Sequence, residues 1–197
     1  MAPKYFNAAL KIVLQYEGIY DDDPDDPGGE TYKGITRRDH PNWGGWPLVE
    51  ANKEAAGFPR NLEGHALLQT LVANLYKELY WDKNHCDQIP TGLDLVVFDT
   101  AVNMGGGKAG RFLQQGINEL LGRQVLSVDG AIGPHTLDAV NALTPEQQKQ
   151  LGFACLELRA QNYHEIAEAK PHLKKFLKGW LNRVANLKKQ VTEMALA

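Results

Sequence analysis

The chain has 197 residues, of which 43% are hydrophobic and 23% are charged, as is usual for a soluble globular protein with a substantial core. Its formal net charge of −3 argues against a nucleic-acid-binding surface and against strong electrostatic attraction to any polyanion. Recognition of a large charged partner would therefore depend on specific contacts.

The cysteines and the N-terminus bear on where the protein is made. Cys86 and Cys155 lie far apart in sequence and fit neither a disulfide-dense scaffold nor a Cys-rich metal site, so we expect free thiols, with Cys155 buried.

Residues 1–18 lack the apolar core and cleavage site of a secretory signal, and no stretch reaches the roughly 20 apolar residues of a membrane helix. We expect cytoplasmic synthesis and no integral membrane segment.

The first third of the chain is predicted to be a helix followed by irregular structure. Apolar residues at helical spacing indicate an amphipathic helix over residues 4–16. The segment 21–30 holds five aspartates, two prolines and two glycines, which exclude a regular element. A short strand or turn is predicted at 32–36. The stretch 39–60 is predicted to be mostly loop, with a brief helix at 49–56.

Helices dominate the middle of the chain. Asn61 is predicted to cap a helix that ends near residue 81. The segment 91–107 is apolar on nearly all sides and ends in three glycines, which indicates a buried central helix. An amphipathic helix is predicted next, over residues 108–121.

The last third is predicted to hold three more helices. A short one ends near residue 143. Thr144-Pro145-Glu146-Gln147 has the N-cap, first-turn proline and capping-box glutamine of a helix that we expect to reach residue 169. Pro171 breaks that pattern, and apolar residues at helical spacing over 173–191 indicate the final helix.

Glu17 directly follows the first helix and precedes the acidic segment. A carboxylate at a helix C-terminus opposes the helix dipole, and five neighbouring aspartates repel one another, so both features suggest a functional use. Glycosidic bond cleavage needs paired carboxylates, one as acid and one as base. We predict that Glu17 is the general acid, kept protonated by partial burial. The structural alternative is a surface glutamate that closes the helix.

Three motifs stand close together in the first third of the chain: Glu17-Gly18-Ile19-Tyr20, Asp26-Pro27-Gly28-Gly29 and Lys33-Gly34-Ile35-Thr36. They resemble glycoside hydrolase family 108, the N-acetylmuramidases found among phage endolysins and secretion-linked lysozymes. The segments 98–105 and 128–136 look like the family's predicted peptidoglycan-binding region. The family usually has a second glycine where this chain has Ile19, which we interpret as a local backbone adjustment.

The resemblance implies hydrolysis of the β-1,4 bond between N-acetylmuramic acid and N-acetylglucosamine, without cofactor or metal. As in phage-type lysozymes, which the chain also resembles, Glu17 is followed nine residues later by an aspartate, Asp26, and then by Thr31. Asp26 is therefore predicted as base or charge stabiliser, and Thr31 as the residue that positions a water. Asp22, Asp23 and Asp25 are rival second carboxylates.

Substrate contacts are expected from aromatic rings and from one amide. Asn103, at the end of the buried helix, could hydrogen-bond an N-acetyl group or instead cap the helix. The loop aromatics could stack on sugars or plug the core, and at least one of them is expected to contact substrate: Tyr20, Tyr32, Trp43 and Trp46.

Two further motifs have competing interpretations. Asp21, Asp23 and Asp25 have the first spacings of an EF-hand loop, but the glycine and the final glutamate are missing, which leaves only an irregular calcium site as an alternative. No spacing typical of a zinc site is present. The segment 129–136 resembles peptidoglycan-binding modules, yet its glycines and proline are typical of a tight turn that leads into a helix.

Together these features predict a mainly α, lysozyme-like fold with a long irregular active-site region near the N-terminus. Residues 1–91 are the predicted catalytic region and 92–197 a helical region resembling a peptidoglycan-binding domain, packed as one compact unit. The expected groove lies between residues 17–60 and the helix ending at Asn103. We expect a monomer whose partner is peptidoglycan, reached in the periplasm through a holin or another export route. The alternatives are a non-catalytic peptidoglycan-binding protein and a secretion accessory protein.

Overall fold

A computed structural model describes residues 4–23 and 28–194, and the chain divides into two compact units, Met1–Leu79 and Tyr80–Ala197. The protein is mainly helical with one small sheet, which confirms the predicted mainly α, lysozyme-like class. Within the described ranges, no helix is both long enough and apolar enough to cross a membrane. The functional boundary at residue 91 stays a prediction.

The first unit combines three helices with a three-stranded antiparallel sheet of order β1-β2-β3. The hairpin between β2 and β3 turns through Lys33 and Gly34, whose φ angles of 46° and 76° are both left-handed, as a two-residue type I′ turn requires. The elements are α1 Lys4–Leu14, β1 Tyr20–Asp21, β2 Thr31–Tyr32, β3 Ile35–Thr36, α2 Trp46–Asn52 and α3 Ala66–Tyr76.

The acidic segment is the loop of the first hairpin. It leaves β1 and returns in β2, where Tyr20 pairs with Tyr32 and Asp21 pairs with Thr31. The ends of the loop are therefore fixed by the sheet, while its centre, residues 24–27, lies outside the described part of the chain.

The predicted first helix is confirmed, and its end places Glu17. Phe6, Ala9 and Val13 are fully buried on one face of α1. Beyond Leu14, the backbone N–H of Glu17 donates to the Leu14 carbonyl at 3.4 Å, a bond three residues back that tightens the last turn. Glu17 therefore lies just past the helix, and Gly18, with φ of 70°, redirects the chain.

The predicted cap of the third helix is wrong. Asn61 lies in a 3-10 turn, Arg60–Gly64, and α3 begins at Ala66. His65 is the N-cap, because its Nδ1 accepts a hydrogen bond from the Leu68 N–H at 3.3 Å. The brief helix predicted at 49–56 also begins earlier, since Gly45 precedes α2 and Pro47 occupies its first turn, where no N–H is needed.

A buried carboxylate, Glu30, ties the sheet to α2. It accepts hydrogen bonds from Arg37 Nε at 2.5 Å, from Lys53 Nζ at 2.8 Å and from the Tyr20 hydroxyl at 3.1 Å. Burial alone would raise the pKa of Glu30, but the Lys53, Arg37 and Tyr20 hydrogen bonds outweigh it and hold the pKa below the ordinary 4.5. Glu30 is therefore an anion at neutral pH, and it clamps the acidic hairpin.

The second unit is a helical bundle around α4, in which every residue from Leu93 to Ala101 is buried. This confirms the predicted central helix, which packs against α5, α7 and α8. The predicted capping box of α7 is also present, with Thr144 and Gln147 bonded reciprocally. The helices are α4 Leu93–Met104, α5 Gly106–Leu120, α6 Pro134–Asn141, α7 Pro145–Ala169 and α8 Leu177–Met194, with a 3-10 turn at Pro171–Phe176.

Asp99 places a charge at the centre of this bundle. The carboxylate is fully buried and accepts from Arg159 Nη1 at 2.6 Å and from Arg183 Nη2 at 2.8 Å. These pairs join α4 to α7 and to α8. Both cysteines are free and Cys155 is buried, as predicted, and Cys86 is buried as well. The Cys155 thiol donates to the Phe112 carbonyl at 3.5 Å.

The turn at 129–136 is built around Gln114 of α5. Its side-chain amide nitrogen, Nε2, donates to Asp129 Oδ1 at 2.8 Å, and its amide oxygen, Oε1, accepts from the Gly130 N–H at 2.8 Å. The turn and α5 approach so closely that a Cβ on Gly110 would lie 2.1 Å from the Gly130 carbonyl oxygen. These contacts favour the structural interpretation of this motif.

We expect Gly110→Ala to lower the free energy of unfolding by about 1–3 kcal/mol, because the methyl group overlaps backbone that cannot rotate away. Gly107→Ala is the matched control, since its Cβ would meet nothing within 4 Å and should leave stability unchanged or higher. Urea denaturation of both variants measures the difference. Equal stabilities would contradict the close approach.

We expect Glu30→Gln to destabilise the first unit by about 1–3 kcal/mol at neutral pH, because it removes charged hydrogen bonds. The pKa of Glu30 is depressed in the folded state, so its stabilisation is present above the ordinary pKa and is lost as pH falls through the folded value. The gap between wild type and variant should therefore narrow below pH 4.5. The exposed Glu54→Gln is the control, and a pH-independent gap would refute the clamp.

Candidate functional site

Glu17 lies against the β2–β3 turn of the first unit and is partly buried. A Cβ placed on Gly34 would lie 2.8 Å from Glu17 Oε2 and 2.7 Å from the Tyr76 hydroxyl oxygen. The Glu17 carboxylate and the Tyr76 hydroxyl therefore both lie close to the Cα atom of Gly34. A side chain at position 34 would overlap with both groups, so the position requires glycine.

The turn beneath Glu17 is fixed on two sides. The Tyr76 hydroxyl of α3 donates to the Lys33 carbonyl at 2.8 Å, and the Lys33 N–H donates to the Ile19 carbonyl at 3.0 Å. The turn is thus tied both to α3 and to the segment that follows Glu17. The backbone on which Glu17 lies is therefore held in one position.

A cleft of about 350 Å³ is lined by Gln15, Gly18 and Ile19, which flank Glu17 in the chain, and Glu17 itself is not part of the lining. The Lys33 ammonium, on its wall, donates to Gln69 Oε1 at 2.8 Å, and burial lowers the pKa of Lys33. Ile19, which stands where the family motif has glycine, adds apolar surface to the wall. The lining residues are Lys11, Leu14, Gln15, Gly18, Ile19, Lys33 and Glu63.

Of the proposed second carboxylate, Asp26, and the proposed water-positioning residue, Thr31, the structure describes only Thr31. Asp26, like its rival Asp25, lies in the undescribed stretch 24–27, while Asp22 and Asp23 are exposed. Thr31 stands opposite Thr36 in the sheet, and its hydroxyl donates to the Gly29 carbonyl at 3.0 Å. The roles of Asp26 and Thr31 stay predictions.

Three of the four candidate sugar-stacking rings are packed in the core. Tyr32, Trp46 and Trp43 are 0%, 2% and 9% exposed, so their faces are occupied and the structural alternative holds for them. Tyr32 stacks on Trp43 with ring centres 6.2 Å apart. Core packing, the alternative given from the sequence, therefore describes these three rings, and contact of at least one ring of the set with substrate stays a prediction.

Tyr20 is the ring in this set that is only partly buried. It meets Phe58 edge-on with centroids 4.7 Å apart, and its hydroxyl is within bonding distance of both Glu30 and Asp22. Burial and the neighbouring Glu30 carboxylate raise the pKa of Tyr20 to about 12, although Lys53 opposes them. The phenol therefore stays a hydrogen-bond donor to the clamp.

Asn103 belongs to the second unit and is exposed at the end of α4. Its Oδ1 accepts a 2.5 Å hydrogen bond from the Tyr163 hydroxyl. The helix itself ends at Gly105, whose φ is 87° and whose N–H donates to the Ala101 carbonyl. The side-chain oxygen of Asn103 therefore bonds to α7 and does not cap the end of α4.

Sequence reasoning missed several residues that shape these sites. Gly34 and Lys33 carried a weak signal, because a Lys-Gly pair between two short β-prone runs suggests a hairpin turn. Tyr76 and Glu30 carried none, since their roles depend on partners distant in sequence. Within residues 4–23 and 28–194, no cluster of three or more His, Cys, Asp or Glu is arranged to hold a metal ion.

Comparisons with known proteins agree with this architecture. Residues 10–105 match the family model of glycosyl hydrolase 108, and residues 108–185 match a predicted peptidoglycan domain. The solved structure of SagA from Brucella abortus is similar, with a TM-score of 0.64, 27% sequence identity, and coverage of 98% of this chain and 97% of that one. No curated protein gives a significant match.

The two family models together account for nearly the whole described chain, and the solved structure extends the similarity over both units. Peptidoglycan is accordingly the substrate partner. The chain belongs to glycosyl hydrolase family 108 and is a glycoside hydrolase that acts on peptidoglycan.

Proposed function

We propose that the protein is a lysozyme-type N-acetylmuramidase that cleaves the β-1,4 bond between N-acetylmuramic acid and N-acetylglucosamine. Glu17 is the general acid in this proposal, and it donates its proton to the bridging oxygen as the bond breaks. Asp26 is the base or charge stabiliser, and Thr31 orients the attacking water. The proposal rests on one observation above all, the placement of the Glu17 carboxylate over Gly34, next in the chain to residues that line a cleft.

The surroundings of Glu17 support an acid role through positioning. The Tyr76 hydroxyl and the β2–β3 turn confine the carboxyl group on one side. The neighbouring residues Gly18, Ile19 and Lys33 line a cleft in which the proposal places the sugar. A proton held in a fixed place is transferred without the entropic cost of bringing the partners together. Departure of the leaving group then produces an oxocarbenium-like transition state, which a second carboxylate stabilises.

Asp26 is given that second role because of its position nine residues after Glu17, as in the phage-type lysozymes that the chain resembles. The two strands on either side of the acidic segment are held together by the sheet register and by the Glu30 clamp. A carboxylate separation of about 5–5.5 Å would give retention and one of about 6.5–9.5 Å would give inversion. Glu30 itself is excluded as the acid, because its depressed pKa keeps it ionised.

The cellular setting belongs to the same proposal. The protein is made in the cytoplasm, acts as a monomer on periplasmic peptidoglycan, and reaches it through a holin or another export route. The polymer itself is the partner that the peptidoglycan domain supports. The endolysin-like role follows from the resemblance to glycoside hydrolase family 108, whose members include both phage endolysins and secretion-linked lysozymes.

We expect Glu17→Gln to lower the rate of murein hydrolysis by about 10²–10⁴-fold, because the amide cannot donate the catalytic proton. The release of reducing ends from purified murein measures this rate. Mass spectrometry of products formed in oxygen-labelled water identifies the cleaved bond and the sugar that receives the new hydroxyl group.

Glu78→Gln, at an exposed position of the same unit, is the control and should keep the wild-type rate. Full activity of Glu17→Gln would refute its catalytic role. Wild-type protein that binds murein but releases no reducing ends would instead favour a non-catalytic binding or accessory protein.

We expect Gly34→Ala to reduce the rate by about 10–100-fold, because the new methyl group would displace the Glu17 carboxylate and small misplacements are costly in catalysis. Gly57→Ala is the matched control, since Gly57 also has a left-handed φ, of 85°, but its Cβ would meet only Asn61 at 3.9 Å. Both variants should lose similar stability from backbone strain. Equal hydrolysis rates for the two would show that the contact with Glu17 does not matter.

A further inference from the structure

The second unit has a cleft of its own, of about 410 Å³, where the end of α4 meets α7, the Pro171–Phe176 turn and α8. This volume lies in the range of small-molecule binding sites. Its wall combines amide groups, one ammonium group and apolar side chains. The lining residues are Asn103, Met104, Lys108, Asn162, Tyr163, Ile166, Leu173 and Trp180.

A buried relay of hydrogen bonds orients Asn103 at this cleft. Arg159, held by Asp99, donates from Nε to the Tyr163 hydroxyl oxygen at 2.9 Å. The hydroxyl proton is therefore directed to Asn103 Oδ1, and burial raises the pKa of Tyr163 so that it keeps this proton. With Oδ1 engaged, the Asn103 amide nitrogen has no partner among residues 4–23 and 28–194 and remains available as a donor.

Asn162 supplies the complementary acceptor. Its Nδ2 donates to Glu165 Oε2 at 3.0 Å, which fixes the orientation of the amide because a carboxylate accepts only from the nitrogen side. Its Oδ1 is buried and has no hydrogen-bond partner in the described portion of the protein. A buried oxygen without a donor is costly, so a ligand N–H placed here would relieve that cost.

Apolar side chains form the rest of the wall. Ile166, Leu173 and Trp180 line the cleft, and Trp180 stacks on Tyr163 with ring centroids 5.0 Å apart. The stack holds both rings in place, so the wall is formed before any ligand arrives. A small alkyl group would be buried favourably against it.

We propose that this cleft binds a secondary amide with a short alkyl substituent. Asn103 donates to the carbonyl oxygen of the ligand, Asn162 Oδ1 accepts from its N–H, and the alkyl group contacts the apolar wall. Peptidoglycan carries such amides in the acetamido groups of its sugars and in its stem peptides. The inference rests on peptidoglycan being the substrate and adds to the proposed function a contact that does not involve Glu17.

The test uses full-length protein with Glu17→Gln, so that bound glycans are not cleaved. Isothermal titration calorimetry compares N,N′,N″-triacetylchitotriose, its deacetylated counterpart and a stem tetrapeptide. Asn162→Leu and Asn103→Ala should each weaken binding of the amide-bearing ligand at least tenfold. Asn186→Ala, an exposed asparagine of α8 outside the cleft, should leave it unchanged.

Tyr163→Phe tests the positioning role of the relay, since the stack with Trp180 is kept while the hydroxyl is lost. Tyr163→Phe should lower the ratio of the affinity for the acetylated glycan to the affinity for the deacetylated glycan. If the peptide is the ligand, the ratio for the peptide and its amide-free analogue should fall instead. A general loss of structure would lower all affinities together and leave this ratio unchanged.

Asparagine-dependent binding of the acetylated glycan assigns the amide to the sugar, and the same result with the tetrapeptide assigns it to the stem; either supports the proposal. It is overturned if no amide-bearing ligand binds, or if Asn162→Leu and Asn103→Ala bind as tightly as the Asn186→Ala control. Retained hydrolysis by Glu17→Gln, together with asparagine-dependent binding, would refute the catalytic assignment alone.

Discussion

Neutralisation of a buried carboxylate is the constraint on which each unit of this protein depends. A buried ion destabilises a fold unless opposite charges and hydrogen bonds satisfy it. In the second unit Asp99 is satisfied by Arg159 and Arg183, which fixes three helices against one another. In the first unit Glu30 is satisfied by Arg37 and Lys53, which fixes the acidic hairpin. Each cluster is therefore structural and joins elements that are distant in sequence.

The family models and the structural units divide the chain at different points. The glycosyl hydrolase match extends to residue 105 and therefore includes α4, yet α4 is the centre of the unit that contains the peptidoglycan domain. The cleft in that unit accordingly draws Asn103 from the first match and Asn162 from the second. The helix that closes the hydrolase match is thus also the core of the second unit, where it packs against α5, α7 and α8.

Features encoded by neighbouring residues could be read directly from the sequence. The apolar stripe of α1, the all-apolar α4 and the capping box at Thr144 each follow from spacing within one element, and all three are confirmed. Glu17 could be singled out because it follows the first helix in a motif that resembles its family. The prediction was wrong for the start of α3, because His65, and not Asn61, is the N-cap residue of this helix.

The sequence alone determined the helical class, the family, and the carboxylates to examine, because periodicity and motifs are local properties. Only the tertiary structure decided which aromatic rings are buried, how Gly34 accommodates Glu17, and which amide groups are left unpaired at the second cleft. Those outcomes depend on contacts such as Tyr76 with Lys33, 43 residues apart, and Tyr163 with Asn103, 60 residues apart. Contacts between residues so far apart in sequence depend on how the helices and strands pack, so they cannot be predicted from local sequence patterns.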